Sequence, residues 1–354
     1  MHNLSPTLRN TIARLASIQK GNPTPSDVYV VPEITDIVQG FMLGDVGMIH
    51  SQVFPHVGVD LQAGKYPVFS RGAFNRPQMQ KRADGAVTAA GGFEVTHVDY
   101  AADVWGWHTA MGKQTIANGK RIDIERAASM LCANQALLNR EEQWIASYYR
   151  TGVWTTDIAG VAAPVGATQT LTWLDADADP IEFLEDLIER AGLLGAGGMY
   201  PINRLVFSSD TWRTFKGHPN VIARVNQGQT PGQAAKMTVE LLQGILGIER
   251  IIIGSAVYTS SGPGAATDTY ARFATSGCLF MCHAAPAPGY MVPSAGYQID
   301  WTGYTGAGGL GQVMSSWYNQ EKASQIFEVE QAYSHHLAAA DLGIFVSGLL
   351  TAAA

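Results

Sequence analysis

Charged residues are scarce in this chain: Asp, Glu, Lys and Arg make up 15% of its 354 residues, against 46% for hydrophobic residues. A low charge fraction fits either a large core or a surface that something else covers. The formal net charge is −7. This balance argues against tight wrapping of nucleic acid, because such binding requires clustered Lys and Arg that displace counterions.

Cysteine is also rare. The chain has three, Cys132, Cys278 and Cys282, which are too few for a disulfide framework in a chain of this length. Cys278, Cys282 and the adjacent His283 place three metal-ligating side chains in one short stretch. The residues between the two cysteines are apolar, however, and a structural zinc site requires four ligands. We therefore expect core positions, with no metal and no cofactor.

Long apolar segments are absent as well. No hydrophobic stretch typical of a signal peptide stands near the N-terminus. The apolar stretch 342–350 is too short to cross a bilayer. We expect a protein without membrane contact that is made and used in the cytoplasm.

Catalytic motifs are missing from the chain. Residues 306–311 fit the pattern G-x-G-x-x-G, but a strand is expected after them, where a dinucleotide site requires a helix. There is no Gly-x-Ser-x-Gly, no Walker loop and no His-Glu-x-x-His. The sequence thus predicts no catalytic residues, although groups from scattered positions could still converge in space.

The most regular stretch of the chain is 203–258. Its apolar runs, 205–207 and 251–253, predict two strands that are covered on both faces. Ser209 or Asp210 is expected to cap the helix after the first strand. Gly247 is expected to end a second helix in the left-handed conformation. Together these signals predict a strand–helix–helix–strand unit.

Further helices are predicted on both sides of this unit. The stretch 123–149 has the length of a long helix, with Asp123 at its positive end. We interpret 140–142 (Arg-Glu-Glu) as part of its polar side. Asp179 is expected to cap another helix. The predicted apolar side of the long helix consists of Ala127, Leu131, Leu138, Ile145 and Tyr149.

Two N-terminal helices are predicted over 5–20 and 32–42, separated by a Pro-rich linker. A helix detached in this way packs either on a neighbouring copy or back on its own domain. Near the start of the main body, strands at 64–69 and 93–100 flank a long, basic, Gly-rich excursion. Both faces of the second strand mix polar and apolar residues, so it is not expected to pack cleanly on a core. Such a hairpin is marginal in water on its own and is expected to lie across another subunit.

Several segments resemble the major capsid proteins of tailed double-stranded-DNA bacteriophages, the Hong Kong 97 type. The resemblance extends from about Tyr29 to the end. It is carried by the His218-Pro219 pair and by these segments: 54–55 (Phe-Pro), 64–66 (Gly-Lys-Tyr), 91–100, 149–157, 293–297 (Pro-Ser-Ala-Gly-Tyr) and 301–304 (Trp-Thr-Gly-Tyr).

This resemblance implies an α+β fold in five segments. They are an N-terminal arm (1–52), an extended E-loop hairpin with flanking strands (53–110), a peripheral domain with a spine helix (111–174), an axial domain (175–290) and C-terminal peripheral strands (291–354).

The resemblance also implies inter-subunit contact through the basic hairpin, at Arg71, Arg76, Lys81 and Arg82. Direct nucleic-acid binding and a solvated loop are the alternatives for these cations. Opposite charge alone suggests an acidic target on a neighbour, at Asp175, Asp177, Asp179, Glu182 and Glu185.

The implied function is that of a major capsid protein, a structural protein and not an enzyme. It would assemble with itself, as pentamers and hexamers, into an icosahedral head shell around double-stranded DNA, without sequence-specific binding. The implied partners are a separate scaffolding protein, a portal and, as an option, a decoration protein. The implied location is the virion capsid, assembled in the host cytoplasm. An encapsulin-type compartment with protein cargo and an α/β enzyme stay open as alternatives.

Overall fold

The computed structural model describes residues 47–69, 72, 75–85, 87–119, 123–194, 199–226, 236–289, 292–306 and 311–351. The predicted helices over 5–20 and 32–42 lie outside the described residues, and so does Arg71. The strands are β1 (His56–Val59), β2 (Ala63–Phe69), β3 (Val95–Ala101), β4 (Asp103–Gly112), β5 (Thr156–Val161), β6 (Gln169–Leu171), β7 (Arg204–Ser208), β8 (Arg250–Gly254), β9 (Val257–Thr259), β10 (Tyr270–Arg272), β11 (Leu279–Cys282), β12 (Gly296–Trp301), β13 (Gln312–Asn319), β14 (Ser324–Leu337) and β15 (Gly343–Ser347). The helices are α1 (His50–Val53), α2 (Lys113–Asn118), α3 (Ile124–Tyr148), α4 (Pro180–Leu194), α5 (Ser209–Gly217), α6 (Pro219–Asn226), α7 (Val239–Leu246) and α8 (Thr302–Thr305), with a 3₁₀ turn at Ala340–Leu342.

A six-stranded sheet in the order β6-β5-β15-β11-β7-β8 forms one centre of the fold. β11 runs antiparallel to β15 and β7, whereas β7 is parallel to β8 and β5 is parallel to both β15 and β6. The strands come from three of the segments distinguished in the sequence: 111–174, 175–290 and 291–354. The final strand of the chain therefore returns to the interior of this sheet.

Both faces of the six-stranded sheet are buried. Leu205 and Phe207 of β7 pack in one core cluster with side chains of α4, α5 and α7. Val206, which lies between them in sequence, packs in a second cluster with Trp144 and Tyr148 of α3. Successive residues of a strand point to opposite faces, so helices on both faces explain the uninterrupted apolar runs. The predicted strands at 205–207 and 251–253 are confirmed.

The strand–helix–helix–strand unit is present, with β7 leading into α5 and α6, and α7 leading into β8. Gly247 ends α7 with φ 65°, as the sequence predicted. Ser209 or Asp210 was expected to cap α5, and this expectation is wrong by one or two residues, because the N-cap is Ser208. Its hydroxyl lies 2.7 Å from the hydroxyl of Thr211, so the interaction at this helix start joins two side chains.

The second large sheet is organised by β14, which has 14 residues. Its last part pairs with β12, which also pairs with β1, and its first part lies between β4 and β13. α3 crosses this sheet. Cys132 and Ala136 of the helix share a buried cluster with Phe327 and Val329 of β14. α3 thus contributes to the cores of both sheets.

The predicted long helix is confirmed as α3, and Asp123 caps it by accepting a hydrogen bond from Arg126 N at 2.9 Å. The predicted division of its faces is only partly right. Leu131 is 37% exposed, whereas Arg140 and Glu141 are 6% and 0% exposed. The interpretation of Arg140 and Glu141 as residues of a polar side is therefore wrong.

None of the helices within the described ranges combines the length and the apolar composition that crossing a membrane requires.

Candidate functional site

A two-stranded hairpin forms a separate sheet outside the two larger ones. β2 and β3 pair antiparallel, from Ala63 opposite Ala101 to Phe69 opposite Val95. None of the residues of these two strands is fully buried, and many are exposed. The predicted second strand mixes polar and apolar residues on both faces, and in the structure the hairpin that contains it has no core of its own.

The loop that joins β2 and β3 carries the predicted hairpin cations. Every residue described in 75–94 is exposed. Arg76, Lys81 and Arg82 lie there, and the structure records no ion pair for them with other described residues. Large apolar side chains accompany them: Met79 is 101% exposed and Val87 is 94% exposed. The loop therefore presents both positive charge and apolar surface that the described residues leave uncovered.

The hairpin meets the body at its base and along β2. Trp301 Nε1 donates to the carbonyl of Asp60 at 2.9 Å, just before β2 begins. The ring of Tyr66 meets the ring of His336 edge-on, with centroids 5.3 Å apart. Between the hairpin base and the body lies a largely apolar cavity of about 980 Å³, whose lining includes Val68, Tyr100, Val292 and Tyr297.

The predicted acidic contact residues lie before and along α4. Asp179 has a role within the chain, because its Oδ1 accepts hydrogen bonds from Ile181 N and Glu182 N, both at 3.1 Å. Glu185 Oε2 lies 3.5 Å from Arg224 Nη2. The exposed members of the predicted set include Asp175, Asp177 and Glu182. Among the described residues, none of these acids pairs with a hairpin cation.

A buried ionic cluster was missed by the sequence reasoning, and Glu141 is one of its two carboxylates. Its Oε2 accepts hydrogen bonds from Ile49 N and His50 N, both at 2.9 Å. The same oxygen lies 2.9 Å from His50 Nδ1. Ile49, His50 and Glu141 are all almost completely buried. The Glu141 carboxylate therefore provides the acceptor that these two buried backbone N–H groups could not obtain from water.

Asp300 on β12 is the second carboxylate, and it is 1% exposed. Its Oδ2 lies 2.8 Å from His56 Nδ1, and its Oδ1 lies 3.6 Å from Arg140 Nη2. Gln298 Nε2 donates to Oδ1 at 3.2 Å. The guanidinium of Arg140 also stacks over the ring of Tyr333, 4.7 Å from its centroid. Asp300 thereby joins β1, β12 and α3.

His335 on β14 lies beside this cluster. Its ring is 5.2 Å from the ring of Tyr333 and 6.4 Å from that of Tyr148. Neither ring nitrogen makes a well-aligned hydrogen bond to a described residue, although the backbone carbonyl of Arg140 favours the protonated ring. Burial lowers the pKa of His335 to about 3, and the charges of His50 and Arg140 act in the same direction. The Arg140 carbonyl opposes this shift only partly. His335 is therefore neutral in the folded chain near pH 7.

One feature of the sequence could have indicated the buried position of Arg140. The buried residues of α3 include a series spaced by four: Ile124, Ala128, Cys132, Ala136, Arg140, Trp144 and Tyr148. Successive residues at this spacing are neighbours on the helix surface, so the series forms a continuous buried row that winds slowly around the helix. The partners His50, His56 and Asp300 are distant in sequence, and no local pattern indicates them.

The cysteines occupy buried positions. Burial raises the pKa of the Cys278 thiol to about 11 and also raises the pKa values of the Cys132 and Cys282 thiols. His283 Nδ1 lies 2.7 Å from the carbonyl oxygen of Pro201. In the part of the chain that the structure describes, His, Cys, Asp and Glu side chains form no group of three or more that could hold a metal ion.

The two sheets, the long helix that crosses between them and the separate hairpin define the class of fold. It is the Hong Kong 97-like fold, an α+β arrangement found in phage capsid structures. No protein-family model matches this chain, and no curated protein matches it.

Three solved structures show the likeness. A phage-related protein from Bordetella bronchiseptica has a TM-score of 0.61 at 18% identity, over 86% of this chain and 94% of that one. A chain of the mature capsid of bacteriophage PhiM1 has a TM-score of 0.57 at 14% identity, over 92% and 94%. A chain of the capsid of cyanophage P-SCSP1u has a TM-score of 0.57 at 10% identity, over 93% and 94%.

Proposed function

We propose that this chain is the major capsid protein of a tailed bacteriophage, which assembles with copies of itself into an icosahedral head shell. The observation that carries the proposal is the shared fold, which extends over 92% of this chain and 94% of a chain from the PhiM1 capsid. On this proposal the chain is a structural protein located in the virion, and not an enzyme.

The exposed hairpin supports the proposal independently of the comparison. Its loop leaves large apolar side chains in water, among them Met79, Val87 and Phe93. Several large apolar side chains exposed on one loop fit a contact surface for another protein. In a shell, every subunit has neighbouring copies of the same chain, and such a copy is the partner that we propose for this loop.

We propose that the hairpin cations Arg76, Lys81 and Arg82, together with Arg71, contact acidic surface on a neighbouring subunit. The exposed acids Asp175, Asp177 and Glu182 are candidates, with Glu185 beside them; Asp179 is the weakest candidate, because it caps α4. Each exposed ion pair contributes at most about 1 kcal/mol. The stabilisation of a shell by these charges therefore depends on their repetition over many copies.

The remaining parts of the proposal concern assembly. Pentamers and hexamers of this chain, formed in the host cytoplasm with a separate scaffolding protein, would close around a portal, and a decoration protein would bind outside. The net charge of −7 suits a wall that encloses double-stranded DNA without binding its sequence, because few cations are available to displace counterions. We also propose that segment 1–52 forms an arm between subunits, whose last residues are anchored in their own chain because Glu141 binds the backbone of Ile49 and His50.

Sedimentation of the expressed chain, alone and with a candidate scaffolding protein, tests this proposal. We expect fast-sedimenting shells or free capsomers for the wild type. The double substitution of Arg76 and Lys81 by Glu should shift material to the subunit fraction, and their substitution by Gln should have a smaller effect. A double reversal at the exposed Arg126 and Arg150 controls for net charge. Equal assembly of all variants would exclude a role of the hairpin charges, and absence of any assembly would contradict the capsid function.

A further inference from the structure

β4 forms an edge of its sheet. All ten of its residues pair with β14, from Asp103 opposite Tyr333 to Gly112 opposite Ser324. On the other side of β4, the part of the chain that the structure describes provides no partner strand. Residues 103–108 are all exposed. The backbone of 103–108 is therefore accessible to a strand from outside the chain.

This edge lacks the usual protection against pairing with another chain, which consists of Lys, Pro or a bulge. The sequence of β4 contains neither Lys nor Pro, and its residues pair with β14 in an unbroken register. Apolar side chains are exposed here as well: Val104, Trp105 and Trp107 are 44%, 38% and 39% exposed. A long, apolar and unprotected edge is a site at which a further strand adds to a sheet.

The loop of the hairpin contains an extended segment of matching length. We call 87–92 (Val-Thr-Ala-Ala-Gly-Gly) the return arm, because it leads from the turn at Asp84 and Gly85 back towards β3. The return arm has six residues, as many as 103–108, and all of them are exposed and lie outside helices and strands. It carries no charge, and its small side chains leave room for the two tryptophan rings of β4. The return arm therefore fits the edge in length and in shape.

The opposite arm of the loop, 76–83, is less suited to such pairing. Pro77 has no N–H group to donate, and Arg76, Lys81 and Arg82 are charged. Both features disfavour the pairing of a strand along its edge. The return arm is therefore the part of the loop that fits β4.

Acidic side chains lie close to the same edge. Asp103 is exposed, and Glu328 Oε1 on β14 lies 4.0 Å from the position that a Cβ atom at Gly106 would take. The Glu328 carboxylate therefore extends over β4. Within the loop, the side chain of Gln78 lies against Gly91, so the two arms run side by side. A return arm seated on β4 would thus bring the cations of the opposite arm near these two acids.

The return arm does not reach β4 of its own chain. β3 separates them, and its seven residues, Val95–Ala101, pair with β2 over their whole length and span roughly 23 Å. Only Ala102 stands between β3 and β4, so β4 starts at the end of β3 that lies opposite the return arm. A second copy of the chain is therefore the source of the arm.

We propose that residues 103–108 of β4 accept the return arm of a neighbouring copy as an additional strand of the sheet. Backbone hydrogen bonds then hold the hairpin on its neighbour, and the small side chains of the arm pack beside the exposed tryptophans. The cations of the opposite arm lie near Asp103 and Glu328. The inference rests on the self-assembly proposed above, and it names the surface on which the hairpin docks.

Photo-crosslinking in assembled particles tests this pairing. The photoreactive residue p-benzoylphenylalanine replaces Val104 in one variant. In the control variant it replaces Met314, which is 43% exposed on the open edge of β13. Particles assembled from isotope-labelled and unlabelled chains are irradiated, and mass spectrometry identifies the crosslinked peptides. We expect crosslinks from position 104 to 87–92 of another copy, and none from position 314 to that segment.

Adjacent proline substitutions test the backbone hydrogen bonds. Successive N–H groups of a strand point to opposite sides, so either Ala89→Pro or Ala90→Pro removes an N–H group that would donate to β4. At least one of the two should raise the concentration required for assembly by roughly tenfold or more, because a buried acceptor loses its donor. Gln80→Pro, on the exposed opposite arm, is the control and should assemble as the wild type does.

Two results would overturn the pairing and leave the capsid function intact. In the first, particles form, but position 104 crosslinks to a segment other than 87–92. In the second, Ala89→Pro and Ala90→Pro both assemble as readily as Gln80→Pro. If the wild type forms no particles at all, the proposed self-assembly is wrong, and the pairing between copies is wrong with it.

Discussion

Gly343, at the start of β15, lies against the ring of Trp154, and a Cβ atom at position 343 would overlap that ring. Trp154 has little freedom to move, because its ring is 4.6 Å from that of Phe280 and its Nε1 donates to the carbonyl of Tyr148 at 2.8 Å. Residue 343 therefore has to be glycine for reasons of space.

Substitution of Gly343 by alanine should accordingly lower the free energy of unfolding by about 1–3 kcal/mol, the usual cost of overpacking. Gly244 in α7 is the matched control, since a Cβ there meets nothing within 4 Å. Gly244→Ala should raise stability by about 0.5–1 kcal/mol, because alanine favours the helix. Denaturant unfolding of both variants checks the pair, and equal effects would refute the packing argument.

Removal of the Glu141 carboxylate should be more damaging. Glu141→Ala leaves the buried N–H groups of Ile49 and His50 without their acceptor, and each buried donor that loses its partner costs about 1–3 kcal/mol. The neighbouring Glu142 is exposed, so Glu142→Ala should change the free energy of unfolding by less than about 0.5 kcal/mol. Thermal unfolding of the two variants distinguishes the loss of buried hydrogen bonds from the loss of one negative charge.

The cap of α4 provides a separate prediction for the acidic stretch. Asp179→Ala removes the acceptor for Ile181 N and Glu182 N and should lower the free energy of unfolding of the subunit by about 1 kcal/mol. Asp177 is exposed and does not cap this helix, so Asp177→Ala should leave stability within about 0.5 kcal/mol of the wild type. If the two variants are equally stable, the cap is not formed.

The buried thiols should be unreactive in the folded chain. Burial raises the pKa values of Cys132, Cys278 and Cys282, and the thiolate is the reactive form. A thiol reagent at neutral pH should label none of the three until denaturant is added. Because the unfolded thiols ionise near about pH 8.5, this contribution to stability is complete below that pH and decreases as the pH rises through the folded values. Rapid labelling of a folded thiol would contradict the burial.

The sequence was sufficient for the parts of the fold that local patterns determine. The run Leu205–Phe207 indicated a strand buried on both faces, and Gly247 indicated the end of α7, because each signal depends on neighbouring residues alone. The polar interpretation of Arg140 and Glu141 was wrong because charged residues are normally exposed. Their burial depends on His50, His56 and Asp300, which become neighbours only after the chain has folded.

For the hairpin, too, the sequence predicts the local structure but not the contacts. Its strands were predicted on either side of the basic, Gly-rich stretch, and the structure contains them as β2 and β3. What the loop contacts depends on other copies of the chain, so the assignment of Arg76 and Lys81 to a subunit contact stays a prediction.

Electron microscopy of the purified chain, expressed with and without a candidate scaffolding protein, tests the central claim most directly. We expect closed shells tens of nanometres across, or free rings of five and six subunits. Compact monomers alone under both conditions would contradict the account.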